Sequence, residues 1–464
     1  MKLRQKPLID KLSAGHFYSW KMDAMKLNKN LILPRYSSFN VYKNNSDYFI
    51  INPEVNFWFR LSKEQFLAFK LLDGKSTVDE LLNKIDDNLP ESLREACIKF
   101  IEEIALNYPA KSIALPKSTL LSTMYLVLTN KCNSNCLYCF RDLEGSHGID
   151  GHSALDKNLI KNAILSFRNI AVANPAIVYT GGEPCLFPEL IEIADFAKKN
   201  NIENVLQTNG LLINENNASL YAEIFDKIQI SLDSTNEEVN DWLRGKKGHF
   251  KTVKRAMALL RKYDVKIKLA ATITKKNFHD ISNIKKYFPE IEFQFTPMLQ
   301  IGKGKENSHL SFSPDEFLEH LVSLPDGSKT LTVKNIPEFG TKNQMCGAGT
   351  SILSISSNGD VFPCQMLHHP DFYCGNIKND SLENIYHSSE TIERFRTLTI
   401  DMVDSCKDCD VRYICAGGCI ANGFWLNNAF PVKDYFCEFN KELYFYNMIS
   451  KFKEINLTAT NTFA

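Results

Sequence analysis

Between residues 123 and 300 the chain repeats one pattern six times: an apolar run, a polar punctuation, then a segment long enough for a helix. The runs read "MYLVLTNKC", "AIVYTGGEP", "NVLQTNG", "KIQISLDS", "KIKLAATIT" and "FQFTPM". Strands that alternate with helices pair in parallel, because each crossover carries the chain back to the same end of the sheet. Six units predict an α/β fold, a partial (β/α)6 barrel, in which chemistry collects at the C-terminal ends of the strands. The polar punctuation lies at those ends.

Two different patterns flank this region. From Phe39 to Leu61, "FNVYKNNSDYFIINPEVNFWFRL" alternates apolar and polar residues around "NPE", which predicts a hairpin. Ser62 then caps one helix, Asp73-Gly74 stops it, and Thr77 caps a second whose Val78, Leu81, Leu82 and Ile85 share a face. A third helix fits Leu93 to Ile104, with Cys97 at an apolar position. Hairpin and helices together suggest a winged-helix-like module. After Cys346 the periodicity fades while Cys and Gly rise, as in a small domain organised around metal. The expected division is an N-terminal segment 1–36, the module 37–110, the barrel 111–335, the cysteine-rich domain 336–440 and a C-terminal helix or tail 441–464.

With 54 Lys+Arg against 54 Asp+Glu, the chain has no overall field to recruit nucleic acid or an anionic membrane. No apolar run approaches the roughly 18 residues of a membrane span. The expectation is a soluble cytoplasmic protein. In that reducing compartment thirteen cysteines point to metal rather than disulfides. Three stand at Cys132, Cys136 and Cys139, seven more run from Cys346 to Cys437, and Cys97, Cys185 and Cys374 belong to neither group.

The first group lies in "TNKCNSNCLYCFRD", with spacing C-x3-C-x2-C. A 4Fe–4S cluster takes one thiolate per iron, so three leave one iron open. A structural zinc would need a fourth ligand, for which His147 in "GSHGID" is the nearest candidate. The loop and the strand ends beyond it resemble the radical SAM superfamily. That resemblance implies that S-adenosylmethionine occupies the open iron through its amino and carboxylate groups, with Tyr138 against the adenine. "TGGEP", with Gly181, Gly182, Glu183 and Pro184, would be the glycine-rich motif near the methionyl amino group. Asn209 in "QTNG", with Ser231 and Asp233 in "ISLDS", would contact the ribose and amino acid, and Arg244 in "WLRG" the carboxylate.

The second group reads C-x12-G-x4-C from Cys346 through Gly359 to Cys364, then C-x2-C-x5-C-x3-C at Cys406, Cys409, Cys415 and Cys419, then Cys437. It resembles the SPASM extension of radical SAM enzymes. The resemblance implies two auxiliary clusters, one on Cys406, Cys409, Cys415 and Cys437, the other on Cys346, Cys364 and Cys419, hence three 4Fe–4S clusters in all. Two zinc sites are the alternative. Gln365 stands where anaerobic sulfatase-maturating enzymes carry an Asp, and no further cysteine lies between Cys346 and Cys364. Cys374 is either a substitute ligand or a buried free thiol. The N-terminal module resembles the chaperone of pyrroloquinoline quinone biosynthesis, which captures leader peptides.

Together these resemblances imply a peptide maturase. It would abstract hydrogen with a 5′-deoxyadenosyl radical, install a thioether or carbon–carbon cross-link, and draw electrons from a donor such as flavodoxin or ferredoxin. Peptide epimerisation, maturation of a protein partner of quinohemoprotein or sulfatase type, and a zinc-stabilised winged-helix binding protein are the rival readings.

Overall fold

The computed structural model describes residues 27–44, 47–109, 113–114, 120–141, 155–323, 339, 341–445 and 447–448. The N-terminal module is built on an antiparallel sheet of β1 (Asn40–Asn44), β2 (Asp47–Asn52) and β3 (Phe57–Leu61). The expected hairpin is β2–β3. Its turn forms because the Asn52 side chain accepts the Glu54 N–H and Asn56 adopts φ 47°. Pairing of β1 with β2 makes it a meander.

Three helices follow at Gln65–Phe69, Val78–Asn88 and Glu91–Asn107. Thr77 and Glu80 form a capping box, each side chain taking the other's backbone N–H. Cys97 is fully buried, as expected of core. Residues from both ends of the chain pack against this module. The Leu31 carbonyl accepts the Val78 N–H at 2.9 Å, and the hydrophobic core takes in Leu33, Val411, Ile414, Phe445 and Met448. Tyr42 and Asn40 both donate to Asp410, and Arg412 pairs with Glu54.

The central sheet confirms the predicted barrel strands. After the short β4 (Ile113–Ala114) come β5 (Leu121–Thr129), β6 (Ala171–Gly181), β7 (Glu203–Thr208), β8 (Lys227–Ser231), β9 (Lys266–Ile273) and β10 (Glu292–Pro297). These six lie side by side in chain order, all parallel. Next, β11 (Thr341–Lys342) pairs with β4. The cysteine-rich region then adds β12 (Ile352–Ile355), β13 (Asp360–Phe362) and β14 (Gly375–Asn376) to the same sheet. β12 lies parallel to β5, from Ile352 opposite Thr123 to Ile355 opposite Leu126. The cysteine-rich region is therefore continuous with the barrel sheet.

Among the described residues the crossover helices cover one face of this sheet. Leu206, Ile228, Ile230 and Leu269 join Ile160, Ile193, Tyr221, Val253 and Ile281 from the crossover helices in one core, each full burial being worth roughly 1.5–3 kcal/mol. Alternate strand residues, among them Tyr125, Gln207, Gln229 and Lys268, are half-buried on the opposite, open face. Among the described residues no helix is long and apolar enough to cross a membrane.

Candidate functional site

The Cys132–Cys139 loop leaves the end of β5 and is fastened on two sides. Toward β6, the Gly182 N–H donates to the Thr129 carbonyl at 2.7 Å and the Glu183 N–H to the Lys131 carbonyl at 2.8 Å. A Cβ on Gly181, which has φ +138°, would stand 2.3 Å from the Thr129 oxygen, and one on Gly182 2.3 Å from the Lys131 oxygen. Both glycines are thus required by the approach of the cysteine loop itself. On the other side the loop caps helix Glu237–Arg244: the Asn135 and Leu137 N–H groups donate to the Arg244 and Leu243 carbonyls at 3.2 and 3.0 Å.

Glu183 is 1% exposed, and its carboxylate is engaged by the neighbouring strand end. It accepts from the Thr208 hydroxyl at 2.7 Å, the Asn209 N–H at 2.7 Å and the Cys185 N–H at 3.1 Å. Burial holds its pKa above the ordinary carboxylate value despite these donors. Through the Asn209 N–H, the carboxylate fixes the position of Asn209. Asn209 Nδ2 in turn donates to Asn133 Oδ1 at 2.6 Å and to Ser134 Oγ at 3.3 Å, and lies 3.9 Å from Cys132 Sγ. Pro184, also buried, opens the turn after Glu183.

Tyr138, Asp233, Arg244 and Cys136 meet in a second cluster. Asp233 is fully buried. Its Oδ2 lies 2.7 Å from Arg244 Nε and its Oδ1 3.0 Å from Arg244 Nη2. It also accepts from the Thr272 N–H at 2.9 Å and from the Tyr138 hydroxyl. Arg244 Nη1 reaches Cys136 Sγ at 3.9 Å, and the guanidinium lies 5.6 Å from the Tyr138 ring centroid. Burial pushes the Cys136 thiol up to about 11, with Arg244 pulling the other way. Ser231 stands half-buried at the end of β8.

Sequence reasoning missed the support behind Asp233. Its N–H donates to Asn240 Oδ1 at 3.1 Å, and Asn240 Nδ2 meets Nδ1 of the fully buried His249 at 3.0 Å. Burial, followed by Arg244, pushes His249 down to about 3, so the ring stays neutral. A single histidine at the start of a helix gave no signal.

The remaining thiols fall into groups visible in their mutual electrostatics. Cys139 raises both Cys132 and Cys136, each already raised by burial, and Cys132 adds to the effect on Cys136. Burial raises Cys364, after which Cys346 and Cys419 raise it further. Cys415 and Cys437, raised mainly by burial, both feel Cys406 and Cys409. Cys364 also acts on Tyr125, on the open face. Cys374 stands apart, its thiol donating to the Phe372 carbonyl at 3.4 Å with no cysteine among its influences. Among the described residues no three His, Cys, Asp or Glu side chains converge on a single-ion position. An all-thiolate donor set of this kind suits an iron–sulfur cluster. His147 lies outside the described residues.

The radical SAM superfamily matches residues 126–288, the span from the first barrel strand to the helix before the sixth. The chain belongs to the radical SAM superfamily. An iron–sulfur cluster-binding domain, SPASM, matches residues 346–410. This radical SAM enzyme thus belongs to a class that binds S-adenosylmethionine and iron–sulfur clusters.

It is 27% identical over 335 residues to a cysteine-type anaerobic sulfatase-maturating enzyme of Clostridium novyi, covering 65% of this chain and 88% of the relative. It is 29% identical over 306 residues to the antilisterial bacteriocin subtilosin biosynthesis protein AlbA of Bacillus subtilis, covering 64% of this chain and 66% of AlbA. In fold it resembles anSMEcpe with bound AdoMet (TM-score 0.59, 23% identity, 71% of this chain and 98% of that one). It also resembles Streptococcus suis SuiB bound to precursor peptide SuiA (TM-score 0.52, 14% identity, 87% and 99%).

Proposed function

We propose that this radical SAM enzyme is a peptide maturase that installs a thioether or carbon–carbon cross-link in a ribosomally made precursor. The observation that carries the reading is the division of its thiols into three neighbourhoods. One lies at the strand ends, one beside Tyr125 on the open face, and one against the N-terminal module. Cys132, Cys136 and Cys139 would hold a 4Fe–4S cluster, and Tyr138, Gly181, Gly182, Asn209, Ser231, Asp233 and Arg244 would surround S-adenosylmethionine. With both bound, that site supplies reductive cleavage of the sulfonium to methionine and a 5′-deoxyadenosyl radical that takes hydrogen from the peptide. Asp233 holds the Arg244 guanidinium at the cysteine loop, and Glu183 fixes the distance between the β6 and β7 ends.

Cys346, Cys364 and Cys419, and Cys406, Cys409, Cys415 and Cys437, would hold two further clusters, making three. Electrons would come from a donor such as flavodoxin or ferredoxin, in the cytoplasm. The leader of the precursor would bind residues 37–110 by adding a strand to an edge of the β1–β2–β3 sheet. Support comes from AlbA, a bacteriocin biosynthesis protein, and from the SuiB fold, which binds a precursor peptide. Maturation of a protein partner is the second reading, favoured by the similarity to the Clostridium novyi enzyme. Gln365, in place of that family's Asp, weighs against it.

Co-expression with short open reading frames encoded beside the gene, followed by peptide mass measurement, tests the proposal. A loss of two hydrogens per event supports cross-linking. Unchanged mass with deuterium uptake from heavy water means epimerisation instead. Deoxyadenosine formation by a Cys132, Cys136 and Cys139 triple Ala variant would overturn the assignment of the first cluster.

A further inference from the structure

The open face carries a polar row that the proposed S-adenosylmethionine site does not use. Strand register aligns Gln207 of β7 with Gln229 of β8, Gln229 with Lys268 of β9, and Lys268 with Glu292 of β10. The row lies opposite the helix-covered core, because the residues next along the strands, Leu206, Ile228, Ile230 and Leu269, are fully buried on the other side. Lys268 and Glu292 satisfy each other at 3.1 Å. Gln207 and Gln229 are half-buried, and among the described residues neither side chain makes a hydrogen bond.

Each glutamine amide offers an acceptor oxygen and an NH2 group. The adjacent pair therefore presents two of each without net charge. Its complement is a neutral group that also carries donors and acceptors side by side, which describes a peptide main chain. A carboxylate or phosphate would find its nearest cation in the row, Lys268, already paired. The placement is equally specific. Gln207 precedes Asn209 by two residues and Gln229 precedes Ser231 by two, so the pair lies one pleat repeat, about 6.6 Å, below the strand-end residues.

We propose that Gln207 and Gln229 form a main-chain-binding subsite that holds an extended segment of the peptide substrate one layer beneath the S-adenosylmethionine site. The inference rests on the peptide reading above. A segment held there excludes water from its own N–H and C=O groups, and the two amides replace that water. Recognition is of the backbone, so different side chains are admitted near the reacting carbon. Selectivity for the precursor falls to other surfaces.

The probe is a capped pentapeptide, acetyl-Ala-Ala-Cys-Ala-Ala-amide, with an analogue in which esters replace its two central amides. Binding to the holoenzyme with S-adenosylmethionine is followed by ligand-detected NMR. The Gln207→Met/Gln229→Met variant should bind the amide peptide roughly 10- to 30-fold more weakly, the loss expected for two net hydrogen bonds. Its melting temperature and cluster absorption should match the wild type, which excludes a folding defect. The ester analogue, which lacks the two N–H donors but keeps its carbonyl acceptors, should bind the wild type more weakly than the amide peptide and lose less than that peptide does in the variant. Equal affinity of both proteins for the amide peptide, no binding to the wild type, or additive losses would each overturn the subsite. A wild type that modifies a co-expressed precursor yet ignores the capped peptide refutes the subsite and leaves the maturase reading standing. Backbone-dependent binding without any modified precursor does the reverse.

Discussion

Replacing Gly182 by Ala tests whether the glycines after β6 serve the cysteine loop. Gly182 has no left-handed φ, so alanine meets no conformational penalty there, and the effect is one of space. Its Cβ would lie 2.3 Å from the Lys131 oxygen and 2.5 Å from that of Asn130, whereas ordinary contact begins near 3.4 Å. The loop must therefore retreat by about 1 Å, the difference between those contacts, and Lys131 immediately precedes Cys132. That retreat stretches the Glu183 N–H to Lys131 bond, now 2.8 Å, and carries the first thiol with it.

A misplacement of about 1 Å at reacting groups costs on the order of 100-fold in rate. Deoxyadenosine formation under dithionite should fall by that order in Gly182→Ala. Gly248→Ala is the control: φ is +78° but nothing lies within 4 Å of its Cβ. It should lose roughly 1–2 kcal/mol of stability from left-handed strain and keep its rate. A Gly182→Ala enzyme within threefold of wild type, or a Gly248→Ala enzyme equally slowed, would refute the reasoning.

Asp233→Asn leaves the Arg244 guanidinium buried without its counterion and should cost about 3–5 kcal/mol in denaturant unfolding, whereas a loss under 1 kcal/mol would mean that the pair is solvated. His249 and His368 are both pushed down to about 3 by burial, so the unfolded chain takes up their protons first and stability falls as pH drops below the ordinary value of 6.5. Between pH 6.5 and 5.5 each should cost about 1 kcal/mol, and His249→Gln should remove its share of that slope in unfolding titrations. Asp410→Asn weakens the acceptor shared by Tyr42 and Asn40 and should loosen the N-terminal module by about 1–3 kcal/mol, read as faster proteolytic release of an N-terminal fragment with the rest of the chain intact.

What could be read from the sequence followed the range of the interaction. The barrel strands were legible because each is a local apolar run ending in polar residues, and the Thr77 cap because an N-cap acts on backbone only a few positions away. The β12–β5 pairing left no such trace. "ILSI" is four residues long, and its partner begins more than 200 residues earlier. Glu183 was noticed for its motif, but its role was hidden because its partners, Thr208 and Asn209, end the next strand. The full core of the N-terminal module was hidden similarly, since Leu33 and Phe445 enter it from opposite ends of the chain.

The seam between β5 and β12 also sets a timetable for synthesis. Thr129 ends β5 and Ile355 ends β12, a separation of 226 residues (355 − 129). At about 5–20 residues per second on the ribosome, roughly 10–45 s pass between the two. For that interval one side of the first barrel strand has a bare row of N–H and C=O groups, the kind of edge on which chains aggregate. The cysteine-rich region closes that edge when it arrives, so the barrel becomes a finished sheet only once the metal-binding end of the protein has been made.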